Sequence, residues 1–373
     1  MKIGIDATLF AEEHFTGISR CVDEVLKVWI KEKKDAEFYL FFCNKRPINI
    51  KRDWPENWHL IGTDAPFNKT KLWKLFVLPK EIKKYKIDIF WGPNYYIPNK
   101  IKDVRMFVSV YDLAMFRIHG ISKASTLIKH KLFLKKNCKD SDKIITISEA
   151  TARDIEEIFG INPGKIGISY CGIDKNVSQR KIEEAEIRDE LRIDSPFFLF
   201  IGTIEPRKNI ETIIKAFDYY RKKYKTEAKL VLAGGKGWND EGIYQVLENS
   251  RNKKDILLPG YISDEERAYL LDNCEGFLYP SLYEGFGLPI LEAFKFGKPV
   301  VTASVSSMPE VGGDAAFYVE NPKDYKGIAG YMDRIIHSSD SELEELKNNM
   351  KNQLDRFSWE KNAEEIWNMM TKE

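Results

Sequence analysis

The residues best placed to do chemistry in this 373-residue chain lie in one run, Tyr279-Pro280-Ser281-Leu282-Tyr283-Glu284-Gly285-Phe286-Gly287-Leu288-Pro289-Ile290-Leu291-Glu292-Ala293. An apolar run ends at Tyr279 and a helical pattern starts near Gly287, so the segment reads as a strand-to-helix loop. Gly285 and Gly287 let the backbone come close to a ligand, and Pro289 suits a first helical turn. The helix start, at Phe286, Gly287 and Leu288, offers N–H groups and a positive dipole end to an anion. Glu284 in the loop and Glu292 inside the helix can each accept hydrogen bonds from the hydroxyls of a polyol. One place thus offers partners for a diphosphate, a sugar and a ribose. The bland alternative is a turn with one capping and one solvated glutamate.

A second run, Ile201-Gly202-Thr203-Ile204-Glu205-Pro206-Arg207-Lys208-Asn209, puts a guanidinium fork beside a compact ammonium. Cations at a helix N-terminus oppose its dipole, so Arg207 and Lys208 imply an anionic partner. Glycines also follow apolar runs in Leu232-Ala233-Gly234-Gly235 and in Pro259-Gly260-Tyr261-Ile262-Ser263. In the first half, Phe15-Thr16-Gly17-Ile18-Ser19-Arg20 opens a helix, and Ser109-Val110-Tyr111-Asp112-Leu113 follows a strand. Asp112 either caps a turn or holds a hydroxyl, and Ser148 in Ile147-Ser148-Glu149-Ala150 suits an N-cap.

Short apolar runs alternating with amphipathic stretches must position these loops. The runs are Lys2 to Asp6, Glu37 to Phe42, Ile87 to Phe90, Met106 to Val110 and Lys143 to Ile147, then Phe197 to Ile201, Lys229 to Ala233, Ile256 to Leu258, Gly276 to Tyr279 and Pro299 to Thr302. Helices are expected from Gly17, Lys71, Ser122, Ser148, Asn209, Asn239, Ser263, Gly287, Pro322 and Ser341. The rhythm predicts α/β structure with two doubly wound, Rossmann-like parallel sheets whose ligands sit beyond the strand C-termini. It pauses in the charged stretch Gln179 to Arg192, where the hinge is placed. The expected domains are 1–175 and 176–356, with an amphipathic helix in 357–373 crossing back onto the first.

Composition excludes several classes. Hydrophobic residues at 43% and charged residues at 31% describe a globular chain, not a disordered one. Lys and Arg (58) nearly cancel Asp and Glu (57), which removes the electrostatic argument for a nucleic-acid binder. No apolar run approaches the ~20 residues of a membrane span, and Met1 opens directly into a strand, so a cytoplasmic protein is expected. Five scattered cysteines without a C-x-x-C argue against a disulfide framework or a structural zinc. Asn68 and Asn176 in N-x-S/T are read as chance. The histidines His14, His59, His119, His130 and His337 lack ligand spacing, and Asp140-Ser141-Asp142 precedes a strand, as a surface turn would. No metal is therefore expected. Lysine-rich amphipathic stretches at 69–86 and 123–143, with Trp73, Phe76 and Phe133, suit either packing on the sheet or peripheral contact with an anionic membrane.

The spacing Glu284 to Glu292 resembles the E-x7-E signature of retaining glycosyltransferases of the GT-B fold, particularly family 4, and the likeness covers nearly the whole chain. It implies a deep cleft between the two domains. It also implies that Arg207 and Lys208 hold the donor diphosphate, that Gly17 approaches it, that Glu284 grips sugar hydroxyls and that Glu292 holds the ribose. Gly202, Thr203 and Gly235 would line the donor, Tyr261 and Ile262 would read the base, and Asp112 would act near the transferred sugar. Tyr111 stands where the family often has His.

The implied function is a retaining hexosyl transfer by front-side attack, with no cofactor beyond a nucleotide-sugar co-substrate. GDP-mannose is the first expectation, since the Ile201 to Asn209 wording resembles mannosyltransferases of surface-polysaccharide assembly, and a UDP-hexose is the main competitor. The expected acceptor is a glycan or a lipid-linked oligosaccharide, met in the cytoplasm or at the inner face of the membrane. A nucleotide-sugar epimerase or hydrolase and a non-catalytic nucleotide-sugar binder of the same fold remain as alternatives. An oxidoreductase is disfavoured because no G-x-G-x-x-G follows Lys2 to Asp6.

Overall fold

The computed structural model describes residues 1–11, 16–44, 48, 50, 52–118, 124–174, 193, 195–237 and 240–372. The chain forms two compact units, Met1–Gly172 with Phe357–Glu373, and Ile173–Arg356. The expected hinge at 179–192, the 175/176 boundary, Phe15, Asn176, His14, His119 and the helix starts at Ser122 and Asn239 lie outside the described residues.

The first unit carries β1 (Lys2–Asp6), β2 (Glu37–Cys43), β3 (Trp58–Thr63), β4 (Ile89–Gly92), β5 (Arg105–Val110), β6 (Lys143–Thr146) and β7 (Ile166–Ile168). They form one parallel sheet in the order β3-β2-β1-β4-β5-β6-β7. The second unit carries β8 (Phe197–Ile201), β9 (Lys229–Ala233), β10 (Ile256–Gly260), β11 (Gly276–Tyr279), β12 (Val300–Ala303) and β13 (Ala316–Val319), parallel in the order β10-β9-β8-β11-β12-β13. Helices on both faces bury the central strands, so β8 reads as the unbroken apolar run Phe-Phe-Leu-Phe-Ile with every residue buried. Strand order reverses between β1 and β4 and again between β8 and β11, and such switch points are where open α/β sheets take ligands.

Three strands had no counterpart in the apolar runs: β3, β7 and β13, each at a sheet edge. Their residues are mostly only partly buried, because an edge strand has less neighbouring structure over it and can carry polar residues. β4 lies two residues later than its expected start, since Ile87 packs in the core just ahead of the ladder.

The last helix, Trp359–Thr371, packs on the helix Gly17–Glu32 within the first unit. Trp29 Nε1 donates to the Ala363 carbonyl at 3.0 Å, and Asn362 Nδ2 donates to Ser169 Oγ at 2.8 Å. Phe357 meets Tyr170 edge-on at 5.6 Å. All five cysteines are buried and free, with the thiols of Cys21 and Cys171 3.4 Å apart. No described helix is long and apolar enough to cross a membrane.

Candidate functional site

β8 ends at Ile201, and the loop after it turns through Pro206–Lys208 into the helix Ile210–Tyr224. The turn closes on Asn209, which adopts a left-handed conformation that Asn tolerates better than most residues. Its side chain then works as a strut. Nδ2 donates to the carbonyls of Pro280 (2.9 Å) and Pro322 (2.6 Å), and Oδ1 accepts from Thr212 Oγ1 (2.7 Å). The Leu282 N–H donates to the Arg207 carbonyl at 2.8 Å. The loops after β8 and β11 are therefore bound together at the switch point.

Glu284 lies at the centre. Lys208 Nζ donates to Glu284 Oε1 at 2.7 Å, and Arg207 Nη1 donates to Oε2 at 2.7 Å and to the Tyr283 carbonyl at 3.2 Å. Lys208 also donates to Tyr279 Oη at 2.6 Å, and Arg207 Nε donates to Glu205 Oε1 at 2.9 Å. Ser306 Oγ accepts from the Glu284 N–H, and both Ser306 and Ser307 donate to the Glu284 carbonyl. Glu205, Lys208 and Glu284 are buried.

Burial by itself would raise the Glu284 carboxyl, but Lys208 and Arg207 outweigh it and hold the group at about 2. Lys208 is pushed below its ordinary range by burial, with Arg207 adding to the effect and Glu284 opposing it. Tyr279 is driven well above its usual value by burial, and Glu284 adds to that. Removing several charges from water costs several kcal/mol per ion, and apolar side chains of similar size would stabilise the same space as well. An arrangement of this kind in a loop cluster at a switch point makes this the candidate functional site.

The helix Leu288–Lys295 starts at Gly287, whose positive φ of 117° suits glycine alone. Ser307 Oγ also lies 2.6 Å from the Phe286 carbonyl, so its one proton is shared between the Glu284 and Phe286 carbonyls and ties the loop to the entry of that helix. Glu292, further along it, accepts two hydrogen bonds from Arg267 Nη1, at 2.9 and 3.1 Å. Gly202 and Gly235 lie in neighbouring loops. A Cβ on Gly234 would strike the Gly202 carbonyl, so the glycine next to Gly235 is required by close backbone approach. Thr203 is exposed, Ile262 is buried and Tyr261 is 77% exposed.

In the first unit, Thr16 Oγ1 caps the helix Gly17–Glu32 by accepting from the Ser19 N–H, and a Cβ on Gly17 would meet no atom within 4 Å. Asp112 Oδ1 accepts from the Ala114 N–H at 3.1 Å, closing a turn just ahead of the short helix Ala114–Arg117, and the Asp112 N–H donates to Tyr95 Oη at 3.0 Å. Tyr111 is buried and lines a small cavity with Cys21 and Cys171. Ser148 caps the helix Glu149–Phe159. Asp142 Oδ2 accepts from the Met106 N–H at 2.6 Å and Ser141 is buried, so this turn latches β5 to β6.

Sequence reasoning did not assign roles to Glu205, Asn209, Tyr279, Arg267, Ser306 or Ser307. The first three lie inside the two runs quoted for chemistry, and Ser306-Ser307 follows β12 as a polar pair. Arg267 gives no signal, being one charged residue on a helix. Among the described residues no group of three or more His, Cys, Asp or Glu could hold a metal.

Family models match both halves of the chain: Glycosyltransferase Family 4 over residues 15–177 and Glycosyl transferases group 1 over residues 183–353. The O-antigen chain mannosyltransferase B of Escherichia coli is 30% identical over 281 residues, covering 75% of this chain and 73% of that protein. The serotype-specific mannosyltransferase WbdA of Escherichia coli is 31% identical over 232 residues, which are 60% of this chain and only 28% of that longer protein. Anabaena HepE, crystallised with UDP and glucose, superposes with a TM-score of 0.74 at 14% identity, over 100% of this chain and 99% of its own. That likeness shows the GT-B fold. With two matched halves, the aligned mannosyltransferase and the paired Rossmann-like sheets, the chain belongs to the family 4 glycosyltransferases.

Proposed function

We propose that this glycosyltransferase moves a mannosyl unit from GDP-mannose, with retention at the anomeric carbon, to a hydroxyl of a glycan or lipid-linked oligosaccharide. The observation that carries the reading is the Arg207-Lys208-Glu284 cluster, with Lys208 and Glu284 buried, at the switch point of the second sheet. Support for mannose comes from the names of the O-antigen and serotype-specific mannosyltransferases.

In this reading the acceptor oxygen bonds to the anomeric carbon while the bond to the donor diphosphate breaks. GDP leaves with the bonding electrons, and the acceptor proton passes to a donor phosphate oxygen. Lys208 commits two N–H groups to Tyr279 and Glu284, and in this reading its third N–H, with Arg207 beside it, donates to the departing diphosphate. Glu284, held ionised, presents carboxylate oxygens to donor-sugar hydroxyls. Glu292, oriented by Arg267, accepts from the ribose. Gly17 allows phosphate to approach the start of its helix. Tyr261 and Ile262 flank the base, Asp112 contributes on the sugar side, and no metal takes part. The site works in the cytoplasm, where nucleotide sugars are made.

The test is a thermal-shift panel of GDP-mannose, UDP-glucose, UDP-N-acetylglucosamine, GDP and UDP, followed by NMR of the product anomer. Stabilisation by the guanosine pair and an α-linked mannoside are expected. Selective stabilisation by uridine ligands replaces the donor, a β-linked product ends the retention claim, and no shift with any ligand ends the nucleotide-sugar reading.

A further inference from the structure

Tyr279 is the last residue of β11 and one of the largest fully buried side chains, 1% exposed. Its ring stacks on Phe200 of β8, at 6.1 Å with 18° between the planes, and on Phe277 of its own strand, at 5.8 Å with 19°. Its carbonyl accepts from Thr302 Oγ1 of β12 at 2.9 Å. Three adjacent strands of the second sheet therefore hold this residue, and its phenol oxygen is a fixed point at their C-terminal edge.

Lys208 is the opposite case. It reaches inward from the loop after β8 on a four-carbon stem with many rotamers, and ordering such a stem costs conformational entropy. Its ammonium has two anchors, Tyr279 Oη at 2.6 Å and Glu284 Oε1 at 2.7 Å. The anchors differ in what else they do. Glu284 also receives Arg207, and on the proposed function its carboxylate serves donor hydroxyls as well. Tyr279 is buried beyond the reach of a substrate, so whatever it contributes to the reaction passes through Lys208.

Tyr279 is not the acid or base of the transfer. Burial drives its hydroxyl well above the usual phenol value and Glu284 adds to that, so the group stays neutral. A neutral oxygen that accepts from an ammonium favours the charged lysine. It acts alongside Glu284 and Glu205 against the burial and the neighbouring Arg207 that push Lys208 down.

We infer that Tyr279 is a positioning residue, whose hydroxyl pins the Lys208 ammonium so that its third N–H stays on the departing diphosphate. The inference rests on the role proposed for Lys208 and adds to it the group that orients the lysine. Placement counts at this scale, since a shift of about 1 Å can cost about 10²-fold in rate.

The test is a double-mutant cycle of Tyr279→Phe and Lys208→Ala, read as GDP release from GDP-mannose, with its kcat, KM and pH profile. Phe keeps the ring on Phe200 and Phe277 and removes only the anchor, and nucleotide-induced thermal shifts report folding. In Tyr279→Phe, kcat is expected to fall about tenfold with KM within about twofold of the wild type. The ammonium loses an acceptor, so the alkaline limb of the kcat profile moves to lower pH. On the Lys208→Ala background the same substitution is expected to cost nothing further, because it acts through the lysine. A merely structural tyrosine would lower kcat alike on both backgrounds and leave the alkaline limb in place, and that result overturns the inference. Wild-type kcat in folded Tyr279→Phe, beside an impaired Lys208→Ala, overturns the inference alone. Full turnover in Lys208→Ala removes the proposed role of the lysine, and the inference with it.

Discussion

In the second unit Arg207, Lys208 and Glu284 are held by one another and by several further groups, while in the first unit the residues expected near the donor are a helix-opening glycine and an aspartate in a backbone turn. Glu284 receives Lys208, Arg207, Ser306 and Ser307, and Asn209 ties down both loops. A Cβ on Gly17 would meet no atom within 4 Å, and Asp112 closes a turn ahead of a helix of four residues. On the proposed function the contrast follows from what each side is asked to do. A departing diphosphate is the same chemical object for every transfer from a given donor, and preorganised charge stabilises it best. An acceptor surface has no such fixed demand, and the first unit spends its exposed residues on apolar and cationic side chains instead.

The contrast breaks most plainly at Lys208. Lys208→Ala should lower turnover by about 10²-fold or more if the ammonium steadies the departing diphosphate. Unchanged turnover in folded protein would remove the residue from the mechanism and make the cluster structural. Glu284 gives a thermodynamic version of the same test. Its folded pKa of about 2 lies below the ordinary carboxylate value, so its ionised form contributes stability above about pH 4.5, and that contribution is lost as pH falls toward 2. Acid unfolding should lose a few kcal/mol over that window in the wild type, and Glu284→Gln should flatten it. An identical acid limb in the variant would mean that other carboxylates set it.

Smaller effects sharpen the comparison. Arg267→Ala should raise the donor KM by about tenfold with little change in kcat, because it releases Glu292 without touching the diphosphate cluster. An equal loss in kcat would place Arg267 in the transition state. Gly17→Ala has no steric cost within the chain and should leave the melting temperature level or slightly higher. A severalfold drop in turnover would then report the approach of phosphate to the helix start, and full activity would show that the first unit leaves that approach open. Asp142→Ala should lower stability by about 1 kcal/mol through the lost hydrogen bond to Met106, while turnover stays put and a chelator changes nothing. Chelator-sensitive turnover would reverse the metal-free proposal.

What the sequence made legible follows from burial. Central strands such as β8 and β11 are buried on both faces and stand out as apolar runs. β3, β7 and β13 carry mixed residues because little covers them at the sheet edges, and no run announced them. In the site, Arg207, Lys208 and Glu284 were visible because unusual residue types recur at short spacing beside glycines. That Arg207 and Lys208 both converge on Glu284 was not visible, since 76 residues separate Lys208 from Glu284 and only the shared switch point brings them together. Arg267 could not be distinguished from any other arginine on a helix without its partner in space. The lysine-rich segments were readable as amphipathic, but which of their apolar residues stay outside depended on Tyr96 and Trp73 taking the inward positions.

The return of Trp359–Thr371 onto the helix Gly17–Glu32 has a consequence for synthesis. Trp29 and Ser169 wait for Ala363 and Asn362, which leave the ribosome only after the whole of the second unit has been made. At about 5–20 residues per second, that interval is on the order of ten seconds or more. The half of the protein that is translated first is thus the last to be completed, and until then the apolar face meant for the final helix is open to chaperones and to neighbouring nascent chains.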